Sequence, residues 1–203
     1  MLRIVGLSGG IACGKSTVAA IIRTQGYPVV DADLLARDVV AQGQPVLQEI
    51  VDHFGAQILT DNGDLDRREL GRVIFGNEGA RKKLESITHP AIALAGQEKF
   101  IELTQAGHDL AFYEAALLVE TGGYKSMSAL VVVTARPEVQ RERLRARDID
   151  LSDEDAEKRI ASQMPLAQKE AVADYIVSNN TSREELEAQV VDVLSQLQGR
   201  FDG

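Results

Sequence analysis

The sequence predicts an α/β fold, a doubly wound parallel sheet of five strands that carries a helical insert and a helical lid. Three observations predict it. The apolar run Ile4–Leu7 leads straight into Gly9-Gly10-Ile11-Ala12-Cys13-Gly14-Lys15-Ser16-Thr17 and then into helical spacing. Four more short apolar runs follow and alternate with helical patterns, as parallel strands joined by crossover helices do. Between the second and third runs, residues 42–106 show helical spacing almost throughout, which is too long for a plain crossover.

The first strand spans Leu2 to Leu7, a nearly continuous apolar run suited to a strand buried on both faces. The segment after it fits G-x-x-x-x-G-K-[ST], a phosphate-binding loop. Gly9, Gly10 and Gly14 give a backbone that can wrap a polyphosphate and bring its N–H groups close. The helix from Lys15 to Gln25 carries Val18, Ile21 and Ile22 on one face and turns its free N-terminal N–H groups toward the anion. Lys15 would reach the β- and γ-phosphates, and the Ser16 hydroxyl would help hold Mg²⁺.

Pro28-Val29-Val30 makes the second strand and ends in Asp31-Ala32-Asp33. In such sheets ligands gather beyond the carboxyl ends of the strands, which places these carboxylates by the phosphate loop. Asp33 also suits the N-cap of a helix from Leu34 to Ala41. In the insert the spacing predicts helices over Val46–Phe54, Arg68–Phe75, Glu78–Ile87 and Ala91–Ala106, punctuated by Asp61-Asn62-Gly63 and His89-Pro90. Gln57 to Thr60 offers the one hint of a strand there. The insert is read as a substrate-holding region, with a simple spacer as the plainer alternative.

Leu110–Tyr113 is the third strand, followed by Glu114 and the apolar Ala115–Val119 that ends at Glu120. Leu130–Thr134 and Tyr175–Val177 are the fourth and fifth, and a final amphipathic helix runs from about Arg183 to Leu197. Between the last two strands Arg136 to Lys169 holds six arginines and two lysines, a concentration at odds with an otherwise acidic chain. Arg143 and Arg147, four apart, share one helix face that can point at phosphates. Arg141 and Arg145 share another, read as a solvated face paired to nearby acids. Ser152 with Asp155 starts a second helix, so the stretch forms a helical hairpin of lid type.

A chain of 203 residues accommodates one good core with attached subdomains. A net charge of −9 argues against non-specific nucleic-acid binding, which needs a broad basic surface. Anionic ligands must therefore meet local basic clusters. The single cysteine, Cys13, suits a reducing interior, and no segment has membrane or secretion-signal length, so the expected location is the cytoplasm.

Taken together the motifs resemble the dephospho-coenzyme A kinases over nearly the whole chain. The resemblance rests on Gly6-Leu7 before the loop, Asp31-Ala32-Asp33 with Ala36-Arg37, Asp66-Arg67 with Leu70 and Phe75, and His89-Pro90. It continues through Leu117-Leu118 with Glu120, Arg143-Leu144 with Arg147, Arg159-Ile160 with Gln163, and Ala173-Asp174 with Asn179. It implies a sheet of the P-loop NTP hydrolase and kinase type and ATP-dependent phosphorylation of the 3′-hydroxyl of dephospho-coenzyme A, the last step of coenzyme A synthesis. It also implies three parts: a nucleotide core over residues 1–34, 107–139 and 165–203, a substrate domain over 35–106 and a lid over 140–164.

The ATP-binding set is then Gly10, Ile11, Ala12, Cys13, Gly14, Lys15, Ser16 and Thr17 of the loop with Arg143, Arg147 and Asn179. The substrate set is Asp33, Arg67, His89, Leu117 and Glu120, although His89-Pro90 also reads as a plain helix junction. Lys15, Asp33 and Arg143 carry the catalysis: Lys15 holds phosphates, Asp33 orients or deprotonates the acceptor hydroxyl, and Arg143 neutralises charge on the transferring group, with Ser16 the one named metal ligand. The expected partners are small molecules, with no nucleic acid or membrane, and the chain is read as a monomer or weak homo-oligomer.

The family usually has Gly and Ser where this chain has Ala12 and Cys13, and a proline where it has Ala116. Alanine at position 12 is tolerable only if its φ is negative, so the motif works if that position does not need a left-handed backbone. Cys13 is read mainly as a small residue that fits; its place at a helix N-terminus would lower its pKa and open it to oxidation. Two other functions fit parts of the pattern. The loop and lid alone also fit a kinase of another small acceptor, such as a nucleoside or nucleotide. A nucleotide-operated switch fits less well, because no N-K-x-D-type guanine signature is present.

Overall fold

The computed structural model describes residues 1–149 and 151–201; Asp150, Asp202 and Gly203, which fall within the lid and core ranges above, lie outside the described residues. The described chain divides into two compact units, residues 1–30 with 103–203 and residues 31–102.

The first unit is built on five parallel strands: β1 (Arg3–Gly9), β2 (Val29–Asp31), β3 (Leu110–Glu114), β4 (Ala129–Thr134) and β5 (Tyr175–Ser178). Their order across the sheet is β2-β3-β1-β4-β5. β1 is central, with Val5 opposite Phe112 on one side and Ala129 on the other. β4 shows why the central strands read as unbroken apolar runs. Ala129, Val131 and Val133 pack into one core together with α1 (Lys15–Thr24) and the C-terminal α9 (Arg183–Phe201). Leu130 and Val132 face the opposite way, into a second cluster with Leu118 and Val119. A strand covered on both faces has no solvent side to keep polar.

Past β4 come α6 (Pro137–Arg147), α7 (Asp153–Ala161) and the short α8 (Leu166–Glu170). Ser152 caps α7 by accepting from the Asp155 N–H, as the sequence predicts. Two ion pairs tie α6 to α7, Arg141 to Glu157 and Arg145 to Asp153, both at 2.9 Å and exposed. This is the solvated face expected for those two arginines.

The second unit is helical: α2 (Ala32–Asp38), α3 (Pro45–Phe54), α4 (Arg67–Ile74) and most of α5 (Glu78–Gln105), around a core of Val40, Ile50, Phe54, Ile58 and Leu70. Three expectations need correction. The helix after β2 starts two residues early and its cap is Asp31, not Asp33: the Asp31 carboxylate accepts from the N–H groups of Asp33 and Leu34. Gln57–Thr60 is not a strand but the end of a 3₁₀ turn, Ala56–Ile58, with a lone antiparallel bridge between Leu59 and Leu65. His89-Pro90 does not separate two helices, because α5 runs unbroken through Pro90 for 28 residues. Proline costs a helix one N–H and a steric clash. Here Leu84 and Ile87 pack on the core ahead of it and Gly96 lies against Leu35 beyond it, so both halves are anchored within one unit.

Candidate active site

β1 ends at Gly9 and α1 begins at Lys15, so the intervening residues form the loop that the motif predicts. Gly14 caps α1 in the left-handed region, at φ 86°. A Cβ there would lie 2.1 Å from Asn179 Nδ2, so glycine is needed for space as well as for conformation. Ala12 also adopts positive φ, 57°. The condition set for alanine at position 12, a negative φ, is not met: the position calls for a left-handed backbone, and alanine adopts it at a cost.

Asn179, 6% exposed and just past β5, fastens this loop. Its Nδ2 donates to the Cys13 carbonyl at 2.9 Å and its Oδ1 accepts from Arg143 Nη2 at 3.2 Å. Arg143 Nη1 is buried and meets no acceptor among the described residues. An unmet buried donor of this kind is costly unless a ligand or water completes it. Arg143 lines a cavity of about 240 Å³ together with Gly14, Thr17, Asn179, Thr181, Arg183 and Leu186.

Directly after Gly14, Lys15 Nζ is 2.8 Å from Glu114 Oε1, with Arg23 Nη2 at 3.8 Å from the other carboxylate oxygen. Glu114 stands at the C-terminal end of β3, 3% exposed. Lys169 is fully buried: its Nζ donates to the Ala116 and Gly9 carbonyls at 3.2 and 3.4 Å and lies 2.6 Å from Glu120 Oε1. Cys13 is buried beneath the loop, and burial pushes its thiol pKa up, against the lowering pull of backbone N–H groups and of Arg143 and Lys169. The lowered pKa expected from its position is thus not found, because desolvation outweighs those groups.

A family model for dephospho-CoA kinase matches residues 3–185. The chain belongs to the dephospho-CoA kinase family. A dephospho-CoA kinase of Anaeromyxobacter dehalogenans is 48% identical over 98% of this chain and 93% of its own length. Among solved structures, a protein of Thermus thermophilus has 34% identity and a TM-score of 0.81, covering 97% of this chain and 98% of its own. The dephospho-CoA kinase of Campylobacter jejuni has 30% identity and a TM-score of 0.74, covering 99% and 100%.

Within this dephospho-CoA kinase fold, the loop residues Gly10 to Thr17 are brought together with Arg143 and Asn179. Arg147 is not: it turns outward to Asp148, which also holds Arg159. The Arg147 hydrogen bond, helped by Arg159, holds the Asp148 carboxyl below the usual carboxylate range despite partial burial. Leu117 is half exposed on the turn after β3, while Glu120 faces Lys169. In the helical unit Asp33 is exposed in the first turn of α2, Arg67 opens α4 behind its cap Asp66, and His89 is exposed on α5. Sequence reasoning gave no role to Glu114, Gln140, Gln163 or Lys169. Glu114 carried a signal, an acid closing an apolar strand; Lys169 was hidden among the basic residues of the lid stretch.

Proposed function

We propose that this chain works as a kinase that moves the γ-phosphate of ATP to the 3′-hydroxyl of dephospho-CoA, with the phosphate loop, Lys15 and Arg143 as its nucleotide-handling groups. The observation that carries the reading is the buried Arg143 Nη1 beside Gly14, a donor with no acceptor among the described residues at the edge of a loop built for phosphate. Family membership supplies the acceptor.

Phosphoryl transfer asks the protein for positioning and charge rather than covalent chemistry. The N–H groups of the loop and of the first turn of α1 receive the phosphates. Lys15, held by Glu114, neutralises charge on the group being transferred. Arg143, held by Asn179, supplies the second cation, and Arg147 remains a lid-surface residue. Asp33 orients the acceptor hydroxyl and takes its proton; Arg67, His89 and Leu117 belong to the substrate side. Glu120 we assign to fixing Lys169. Among the described residues no cluster of three or more acids, histidines or cysteines is preformed for a metal. Ser16, exposed in the first turn of α1, is the protein group that fits Mg²⁺ carried on ATP. Such an ion would screen the phosphate charge.

Among the described residues no helix is long and apolar enough to cross a membrane. A reaction between two polar small molecules fits the cytoplasm and a monomer or weak homo-oligomer, and a net charge of −9 argues against non-specific nucleic-acid binding. The test is magnesium-dependent transfer from ATP with dephospho-CoA, adenosine, cytidine or a nucleoside monophosphate supplied separately. Selective formation of coenzyme A is expected. Transfer to another acceptor would overturn the substrate, and acceptor-independent ATP turnover would overturn the kinase reading.

A further inference from the structure

The strained residue of the phosphate loop, Ala12, follows a residue whose backbone N–H and carbonyl are both held by side chains. The Ile11 N–H donates to Gln163 Oε1 at 2.7 Å, and the Ile11 carbonyl accepts from Gln140 Nε2, also at 2.7 Å. Gln140 lies on α6 and is 3% exposed, whereas Gln163 follows the end of α7 and is half buried. Gly10 makes the reach possible, because a Cβ on it would lie 2.9 Å from Gln140 Nε2 and 3.0 Å from Leu166 Cδ2. On the far side of Ala12, Asn179 holds the Cys13 carbonyl.

An L-residue at φ 57° persists only where its surroundings over-determine it. Two short hydrogen bonds to one residue, on the two peptide units that flank it, of opposite polarity and from separate parts of the chain, are such surroundings. We propose that Gln140 and Gln163 are positioning residues of the phosphate loop, holding Ile11 so that Ala12 stays left-handed and the loop is nucleotide-ready before ATP arrives. Because Gln163 sits at the foot of the α6–α7 pair, the loop's shape is tied to where that pair sits. The inference rests on the ATP-binding reading above and gives it a mechanism.

Without the Gln163 acceptor the Ala12 strain is opposed by one bond fewer, and the fraction of loops in the ready shape falls. The measured dissociation constant rises by the inverse of that fraction. Glycine at position 12 carries no left-handed penalty, so the ready shape would survive there with a single glutamine.

The experiment is calorimetric titration of ATP, in the presence of magnesium, into wild type, Gln163→Ala, Ala12→Gly and the double variant. We expect Gln163→Ala to weaken binding about tenfold and the same change beside Ala12→Gly to weaken it less than about twofold. Equal losses in both backgrounds would overturn the clamp, since a general structural defect or a direct contact with ATP is not rescued by glycine. Wild type that fails to bind ATP would instead overturn the functional reading itself. Should Gln163→Ala not fold, Gln163→Glu and Gln140→Glu decide by nucleotide-free melting. Gln163→Glu keeps an acceptor for the Ile11 N–H, whereas Gln140→Glu sets a carboxylate against a carbonyl. Gln140→Glu must melt lower; the reverse order would overturn the proposal.

Discussion

Replacing Lys15 with alanine should damage the fold as well as the chemistry, and the two effects can be separated. The Glu114 side chain is 4% exposed and has Lys15 at 2.8 Å and Arg23 at 3.8 Å as its cationic neighbours. Removing one partner of a buried pair costs about 3–5 kcal/mol, because the other charge is left without compensation. Two features reduce that figure here. The Lys15 side chain is 15% exposed, and Arg23, itself 43% exposed, still faces the carboxylate. A loss of roughly 2–3 kcal/mol follows. For a chain of this size it lowers Tm by about 5–10 °C. Glu114→Gln in the same background should recover most of the stability, since a neutral amide is far cheaper to bury than a lone carboxylate. It should recover none of the turnover, which falls on the order of 100–1,000-fold once the cation at the phosphates is gone. The assay is a thermal melt of wild type, both single variants and the double variant, with transfer to dephospho-CoA measured on each. If Lys15→Ala melts with wild type, or Glu114→Gln fails to restore it, the pair does not hold this corner of the site and the argument from burial is wrong.

Two further predictions concern the frame around the site. Gly14→Ala combines a left-handed penalty of about 1–2 kcal/mol with displacement of Asn179 from Cys13 and Arg143, roughly 2–3 kcal/mol in all; denaturant unfolding that shows a loss below about 1 kcal/mol would contradict the close approach. Asp174 governs acid stability: burial pushes its carboxyl up, but the 2.7 Å bond from Arg200, the 2.9 Å bond from the Leu130 N–H and the Arg200 charge outweigh it and hold the group below its ordinary value. A depressed folded-state pKa gives stability that is complete above the unfolded value and is lost as pH falls through the folded one. The stability gap between wild type and Asp174→Asn should therefore be full at neutral pH and close in acid; a gap constant with pH would refute it.

Much of the fold was legible because the sheet is buried on both faces. β4 had no polar face to obscure its run, and Val18, Ile21 and Ile22 marked the side of α1 that now lies in the core. What misled was local chemistry read without tertiary context. Pro90 is a helix breaker on its own terms, yet α5 passes through it because Leu84, Ile87 and Gly96 secure both flanks. Asp31 and Asp33 are equally good caps by type, and only the start of α2 at Ala32 chooses between them.

The site divides along a different line. Residues whose role depends on the backbone were legible, since Gly14, Lys15 and Ser16 must stand at fixed offsets for a helix terminus to meet a phosphate. Residues whose role depends on distant partners were not. Gln140 and Gln163 stand 129 and 152 residues from Ile11, and an amide side chain has no spacing rule to announce what it will hold. Lys169 shows the same limit in sharper form. The sequence only counted it among the basic residues between β4 and β5, but its ammonium is wholly buried against two carbonyls and Glu120, where it fastens the end of β1 to the turn after β3. Charge along a sequence locates where anions are met; burial decides which of those charges meet the ligand and which hold the frame that does.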